Sequence, residues 1–451
     1  MFKRIEVDVL ILIEHVAREM ETAVLMKNKF EEIGYTVIID SIKFHKESII
    51  FKYKPKMVVL PWAYSNHEID LFRNFKFMRK DDKIIMLNMH HEQISNDGSD
   101  AFIIPKDDAL RVLHVSWGEN FTKKLVEAGV NRENIIECGN PKLDFYKEEL
   151  ISFNKSRETL SKEYNIDNDK KWVVFIANSF HLLTDEQIKI NMSKGVDLLE
   201  QVKVSIKNRR DFLYYVELYL QENDDTIFIY RPHPSFAHVD IEEKDIVMLC
   251  EKYKNFKCIS GDSIRDWIIN CDITISFHST AVIECSVSST PFYLFRTNKL
   301  SKDKDYKFFE NYPNIIKDYD DFKKSMNQYS QFSFETFNKE IKEYIDLNSK
   351  KIASYSIVEY LDYKFKNIKS YEDDIKLNTK SFIKSCSFKY IKKMIFLISK
   401  IKLIEKYLLK KNDLRIFNLL YSGDDYFDEE YINDMQRSIK VVLNEGRVKY
   451  E

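Results

Sequence analysis

Twice along this chain, short uninterrupted apolar runs alternate with helical stretches, and that rhythm leaves few folds open. The first series runs from a strand at Val7–Ile13 into a helix over Ala17–Ile33, stopped by Gly34. Further strands follow at Thr36–Asp40, Lys56–Pro61, Lys83–Asn88, Leu113–Gly118 and Asn134–Pro141. A polar, charged stretch around 146–170 reads as a linker with helical pieces. The second series opens at Lys171–Ser179 and passes through one long helical stretch over Gln187–Leu220. It continues with Thr226–Pro234, Asn255–Ser260, a short helix at Ser263–Asn270, Asp272–Ser279 and Pro291–Phe295. Strands that are apolar throughout, separated by helices, belong to parallel sheets covered on both faces. Two such series without internal repeats predict an α/β chain of two facing Rossmann-like domains with a cleft between them. The expected domains are 1–160 and 161–345, followed by a helical extension over 346–451, where strand signals vanish.

Composition narrows the function classes. A chain of 451 residues is too long for one ordinary core, and an apolar fraction of 44% is ample for two. The formal net charge of -2 argues against nucleic acid as a partner, because such binders usually carry a basic surplus. Cys138, Cys250, Cys258, Cys271, Cys285 and Cys386 stand scattered with no CxxC pair, so buried free thiols are expected and zinc or disulfides are not. The run Val7–Ile13 is too short to span a bilayer, is followed at once by Glu14 and His15, and lacks a signal-peptide cleavage site. A cytoplasmic protein is expected. The stretch 388–411 is apolar and lysine-rich with Glu405 its only acid. It reads either as an amphipathic helix lying on an anionic membrane surface or as a helix packed on the globular body.

The sharpest local feature is Arg231-Pro232-His233-Pro234, at the carboxyl end of the strand TIFIY. Ligands in open parallel sheets bind beyond the carboxyl ends of strands. The flanking prolines stiffen the backbone around His233, whose ring offers an N–H or a positive charge to a phosphate oxygen. Arg231 is a candidate to orient a phosphate or an acidic neighbour. The strand DITIS runs into Phe277-His278-Ser279-Thr280 and then a helix, AVIECSV. Ser279 and Thr280 thus stand at a helix N-terminus, where hydroxyls, backbone N–H groups and the dipole favour an anion. Glu284, one turn later, is placed to accept hydrogen bonds from the two hydroxyls of a ribose.

RPHP, SFHSTAVIE and the following TPFYLF resemble the C-terminal nucleotide site of bacterial surface-carbohydrate and capsule transferases. That group has the GT-B fold of two Rossmann-like domains and is similar to the Kdo transferases and HP-motif sialyltransferases; TagF-like polyol-phosphate transferases share a looser version. The resemblance implies that His233, Ser279 and Thr280 hold the donor phosphate, with Glu284 at the ribose. The opening IEHVAREMETAVLMKNKFEEIGYTVII resembles the group's first strand, acidic turn and helix. SWGENFTKKLVEAGVNRENIIECGNPKLD resembles its segment containing Trp117, Gly118, Gly139, Asn140, Pro141 and Asp144, and FIANSF (Phe175–Phe180) the opening strand of its second domain. The likeness covers roughly residues 5–300. It implies a glycosyltransferase of surface polysaccharide or glycoconjugate synthesis, with a nucleotide-sugar donor and a saccharide or lipid-linked acceptor. The donor it favours is a CMP-linked acidic sugar such as Kdo or a nonulosonate.

An inverting transferase needs a group that takes the acceptor hydroxyl's proton. The strand KIIMLN ends in Met89-His90-His91-Glu92, which makes Glu92 the first candidate and His91 the second; Glu14, at the end of the first strand, is the third. Adjacent histidines are poor zinc ligands, and no DxD motif stands at a strand end, so metal-independent transfer without a cofactor is expected. A GxGxxG after the first strand, a P-loop and a GxSxG elbow are all missing, which disfavours nicotinamide or flavin enzymes, P-loop NTPases and α/β-hydrolases. The competing readings are a CDP-glycerol or CDP-ribitol polyol-phosphate transferase, a UDP-sugar 2-epimerase and a non-catalytic assembly scaffold.

Overall fold

The structure is a computed structural model that describes residues 4–45, 49–78, 84–95, 103–193, 195, 197–233, 244–347, 350–367, 383, 387 and 427–448. The described residues form two compact units, one drawn from within Met1–Gln93, Phe102–Leu150 and Tyr344–Glu451, the other mainly from within Ile151–Glu343.

The first unit is built on β1 (Ile5–Ile13), α1 (Val16–Glu32), β2 (Val37–Ser41), β3 (Tyr53–Leu60), α2 (Asn66–Met78), β4 (Ile85–Asn88), β5 (Leu113–Ser116), α3 (Glu119–Glu127) and β6 (Ile135–Glu137). Its six strands are all parallel, in the order β2-β1-β3-β4-β5-β6. Continuous apolar runs are what such strands require, because both faces are covered. Leu10, Leu12, Val58, Leu60 and Met86 pack with Ile69 and Phe75 on one face. Gly34 ends α1 as the sequence predicts: its φ is +92°, and the N–H of Tyr35 reaches back to the carbonyl of Phe30 at 3.0 Å.

The second unit holds β7 (Lys171–Ile176), α4 (Asp185–Ser193), α5 (Leu199–Glu222), β8 (Thr226–Arg231), β9 (Phe256–Cys258), α6 (Ile264–Asn270), β10 (Ile273–Ser276), α7 (Ala281–Ser288), β11 (Phe292–Phe295) and β12 (Ile315–Ile316). The order is β12-β11-β10-β7-β8-β9, again all parallel. Val173, Phe175, Phe228 and Tyr230 pack against Phe212, Val216 and Phe322 in its core. The single long helix expected over 187–220 is instead two, α4 and α5, with Gly195 at a φ of +88° between them. A left-handed residue cannot continue a helix, and glycine takes that conformation without a Cβ clash.

Two C-terminal helices, α8 (Ala353–Asn367) and α9 (Glu429–Val448), belong to the first unit and pack on α1. Asp144, fully buried, accepts hydrogen bonds from the N–H groups of Ala353 and Ser354 at 2.7 and 2.9 Å and from Ser354 Oγ at 2.8 Å. A sequence-distant carboxylate therefore caps the first turn of α8 and fixes it to the unit. Farther along, Tyr35 donates to Asp362 at 2.7 Å, and Gln436 on α9 donates to Glu31 at 2.6 Å. The stretch 388–411 lies outside the described residues, as does Cys386. No helix among the described residues is long and apolar enough to cross a membrane. Cys271 and Cys285 are buried thiols as expected, but Cys258 is exposed at the end of the short edge strand β9.

Candidate functional site

In a doubly wound sheet the ligand crevice lies where the strand order reverses, outside the carboxyl ends of the two strands that part there. For the second unit that point is β7 and β10. Ile176, the last residue of β7, is in register with Ser276 of β10 on one side and with Arg231 of β8 on the other. The two motifs read from the sequence, RPHP and SFHST, therefore leave the sheet at one level, on either side of β7. His233 follows two residues beyond β8 and is half-buried. Ser279 is half-buried, and its Oγ accepts from the N–H of Ala281 at 3.2 Å, the first residue of α7. Thr280 is exposed at the helix N-cap and its side chain makes no capping bond. Glu284 is half-buried on the first turn of α7.

Arg231 sits differently from the others. Its guanidinium is buried and donates to the carbonyls of Ile259 at 3.0 Å, of Gly261, and of Asp262 at 2.9 Å. Burial pulls its pKa down to about 10. Both terminal nitrogens are thus engaged in bracing the loop after β9, and the side chain holds the crevice wall rather than standing open toward a ligand. Asp262, whose φ is +64°, is held in that loop by Tyr164 Oη at 2.8 Å and Lys155 Nζ at 2.7 Å.

In the first unit the order reverses between β1 and β3, and Glu14 stands at the end of β1. Its Oε2 accepts from Trp62 Nε1 at 3.0 Å, just beyond β3, and from Arg18 Nη2 at 3.1 Å. Arg18 also donates through Nε to Glu19 at 3.1 Å, and Glu19 accepts from the N–H of Glu14 at 2.6 Å. Glu92, beyond β4, is 63% exposed and lies 3.9 Å from both Arg18 Nη1 and His91 Nε2. A small cleft of about 50 Å³ opens at this end of the sheet, lined among others by Arg18, Glu19, His91, Trp117, Asn140 and Lys142.

His91 is only 12% exposed, and burial together with the Arg18 and Lys142 charges holds its pKa down to about 3. Its Nδ1 has no hydrogen-bond partner among the described residues. The imidazole facing the cleft is therefore neutral at physiological pH. His90, before it, turns inward at a φ of +48° and shares a 2.8 Å Nε2···Nδ1 hydrogen bond with His114. Its role is internal, as a buried pair, while its left-handed backbone directs the chain at the strand end. Glu14, Glu19 and His91 bring one possible metal-ligand atom each within 4.8 Å of one another. Arg18 already donates to both carboxylates, so a cation entering there would displace the guanidinium.

All three proton-acceptor candidates of the sequence reading thus gather at one end of one sheet, and the donor-site candidates at the corresponding end of the other. Sequence reasoning missed Arg18, Glu19 and Trp62. The i, i+4 spacing of Glu14 and Arg18 on an opening helical turn was the available signal.

No protein-family model and no curated protein matches the chain. Solved structures do. The UDP co-structure of MnaA from S. aureus superposes with a TM-score of 0.52 at 12% identity, over 82% of this chain and 100% of its own. A UDP-N-acetylglucosamine 2-epimerase gives 0.51 at 11%, covering 82% and 99%. The wall teichoic acid polymerase TagF gives 0.52 at 12%, covering 80% and 89%. At these identities the likeness is one of fold. The chain has the GT-B type of architecture, two Rossmann-like domains with a helical C-terminal segment.

Proposed function

We propose that this chain is a glycosyltransferase of surface-polysaccharide or glycoconjugate synthesis that uses a nucleotide-activated sugar. The observation that supports it best is the register of the second sheet, which sets His233 beside β7 on one flank and Ser279–Thr280 on the other. Phosphate-binding groups on both sides of β7, one of the two strands that part at the switch point, offer the cradle a nucleotide requires. In this reading His233, Ser279 and Thr280 take the donor phosphate, Glu284 takes the ribose hydroxyls, and Arg231 positions the crevice by bracing the 259–262 loop. The preferred donor is a CMP-linked acidic sugar such as Kdo or a nonulosonate, following the HP-type motif, and the acceptor is a saccharide, free or lipid-linked.

The acceptor's proton goes to Glu92. Among the three candidates its carboxylate is the exposed one, whereas Glu14 already holds Trp62 and Arg18. His91, neutral and lining the cleft, orients the acceptor hydroxyl as a hydrogen-bond partner. Helix α7 and the hydroxyls at its start stabilise the leaving phosphate as charge develops, which is how such sites lower a barrier without a metal. Transfer is inverting and survives chelation of divalent ions.

One neighbour is a UDP-N-acetylglucosamine 2-epimerase and another, TagF, a wall teichoic acid polymerase, so the same fold serves two rival reactions. A 2-epimerase would interconvert a UDP-sugar with no acceptor, and a polyol-phosphate transferase would leave a phosphodiester in its product. The decisive experiment is thermal stabilisation by CMP, CDP, UDP and GDP, followed by product analysis with the stabilising donor. A ligand at a hundredfold excess over its dissociation constant adds about 2.7 kcal/mol to native stability. Selective stabilisation by CMP, lost in His233→Ala, is expected, and Glu92→Gln should cut turnover by about 10²–10⁴-fold while nucleotide binding stays intact. Epimerised nucleotide sugar without an acceptor would refute transfer.

A further inference from the structure

His278, the residue before Ser279, belongs to a buried polar cluster that the transfer chemistry leaves unused. Its side chain is 8% exposed, and its ring lies parallel to Tyr306 with 4.2 Å between centroids. Its Nε2 stands 3.4 Å from Asp305 Oδ1 yet makes no hydrogen bond with any described residue. That carboxylate is held instead by Arg296 Nη2 and by the N–H of Tyr306, both at 2.9 Å. Arg296 is itself 4% exposed, and its Nε is likewise without a partner among the described residues.

Buried polar atoms in folded proteins are almost always hydrogen-bonded, because an unmade bond forfeits the solvation it replaced. An aromatic hydrocarbon ring would stack on Tyr306 equally well without that loss. An unpaired buried polar atom calls for an explanation, and His278 stands one residue before the turn at Ser279–Thr280.

We propose that donor phosphate arriving at Ser279–Thr280 closes a hydrogen bond from His278 Nε2–H to Asp305 Oδ1. His278 is thereby a positioning residue, which sets the turn for the phosphate and ties it to the segment Arg296–Phe309. The inference rests on the reading that Ser279 and Thr280 hold the donor phosphate. No proton changes hands: the imidazole stays neutral with its hydrogen on Nε2, and Asp305 keeps its bond to Arg296. The required shift is small, since 3.4 Å need shorten only to about 2.9 Å and the ring reorient.

The test is His278→Phe, which keeps the stacked ring and deletes the idle nitrogen. Melting temperature and binding of CMP, CDP, UDP and inorganic pyrophosphate are measured on both proteins. The melting temperature is expected to rise by about 2–4 °C. Affinity for pyrophosphate and for the nucleotide the parent prefers is expected to fall about tenfold or more. His278→Gln, which retains an N–H donor, should recover part of that affinity. Lower stability in His278→Phe would overturn the proposal, because the nitrogen would then be in use without ligand. Unchanged affinity would overturn it as well. A parent that binds none of the probes refutes the nucleotide reading and this coupling together; a parent and variant that bind equally refute the coupling alone.

Discussion

Lowering the pH from 7.5 to 5.5 should cost the first unit a large part of its stability, through three histidines buried without charge. An imidazole in the unfolded chain titrates near 6.5. In the folded unit burial holds His114 down to about 3, and burial with the Arg18 and Lys142 charges does the same for His91. His90 is pushed well below its ordinary value by burial, reinforced by His114 and His91. Between these values and 6.5 the unfolded chain binds the protons that the folded unit refuses, so stability falls as pH falls. The stabilisation is complete above pH 6.5 and drains away toward pH 3. One pH unit below 6.5 costs about 1.4 kcal/mol per histidine, hence roughly 4 kcal/mol for the three at pH 5.5. Against a typical total of about 5–15 kcal/mol that is a steep dependence, beginning well above the carboxylate range. Urea denaturation at pH 7.5, 6.5 and 5.5 measures it, with hydrogen exchange of β4 and β5 assigning the loss to this unit. His114→Asn, which cannot take a proton, should remove about a third of the slope. Stability that stays flat from pH 7.5 to 5.5 would refute the reasoning, and a slope of one histidine's worth would mean that the folded unit admits two of the three protons.

Two further outcomes follow from single contacts. Asp144→Ala leaves the first N–H groups of α8 uncapped and removes the carboxylate beside Lys147, 3.2 Å away; a loss of about 3–5 kcal/mol is expected, with residues 353–367 exchanging their amide hydrogens first. Gly261→Ala puts a methyl group onto the hydroxyl of Tyr164, which Asp262 holds at 2.8 Å, and should cost about 1–3 kcal/mol; Tyr164→Phe in the same chain should return much of it, and a double variant no better than the single one would show that the strain lies elsewhere.

The strands and the switch from one sheet to the next were legible because a parallel strand announces itself by a continuous apolar run, as in Val7–Ile13 or Lys171–Ile176. What such runs cannot state is their lateral order. That β7 separates β8 from β10, and so brings His233 and Ser279 to the flanks of one strand, depends on pairings between residues 55 and 100 positions apart. Strand-end position alone marked His233 and Ser279 correctly as residues of one sheet edge. The same rule says nothing of Arg231's carbonyl partners, because all three come from a loop 28–31 residues later, and a guanidinium reads identically whether it faces a phosphate or the protein's own backbone. Trp62 escaped notice for the related reason that its indole serves Glu14 across 48 residues. Long-range polar pairing is thus the part of a site that a single sequence hides. Apolar periodicity reports burial, which every strand shares, whereas the partner of a buried charge is decided by topology. His278 shows the limit of that rule: no pattern distinguishes it from the apolar residues of its strand end, and only its unmade bond to Asp305 sets it apart.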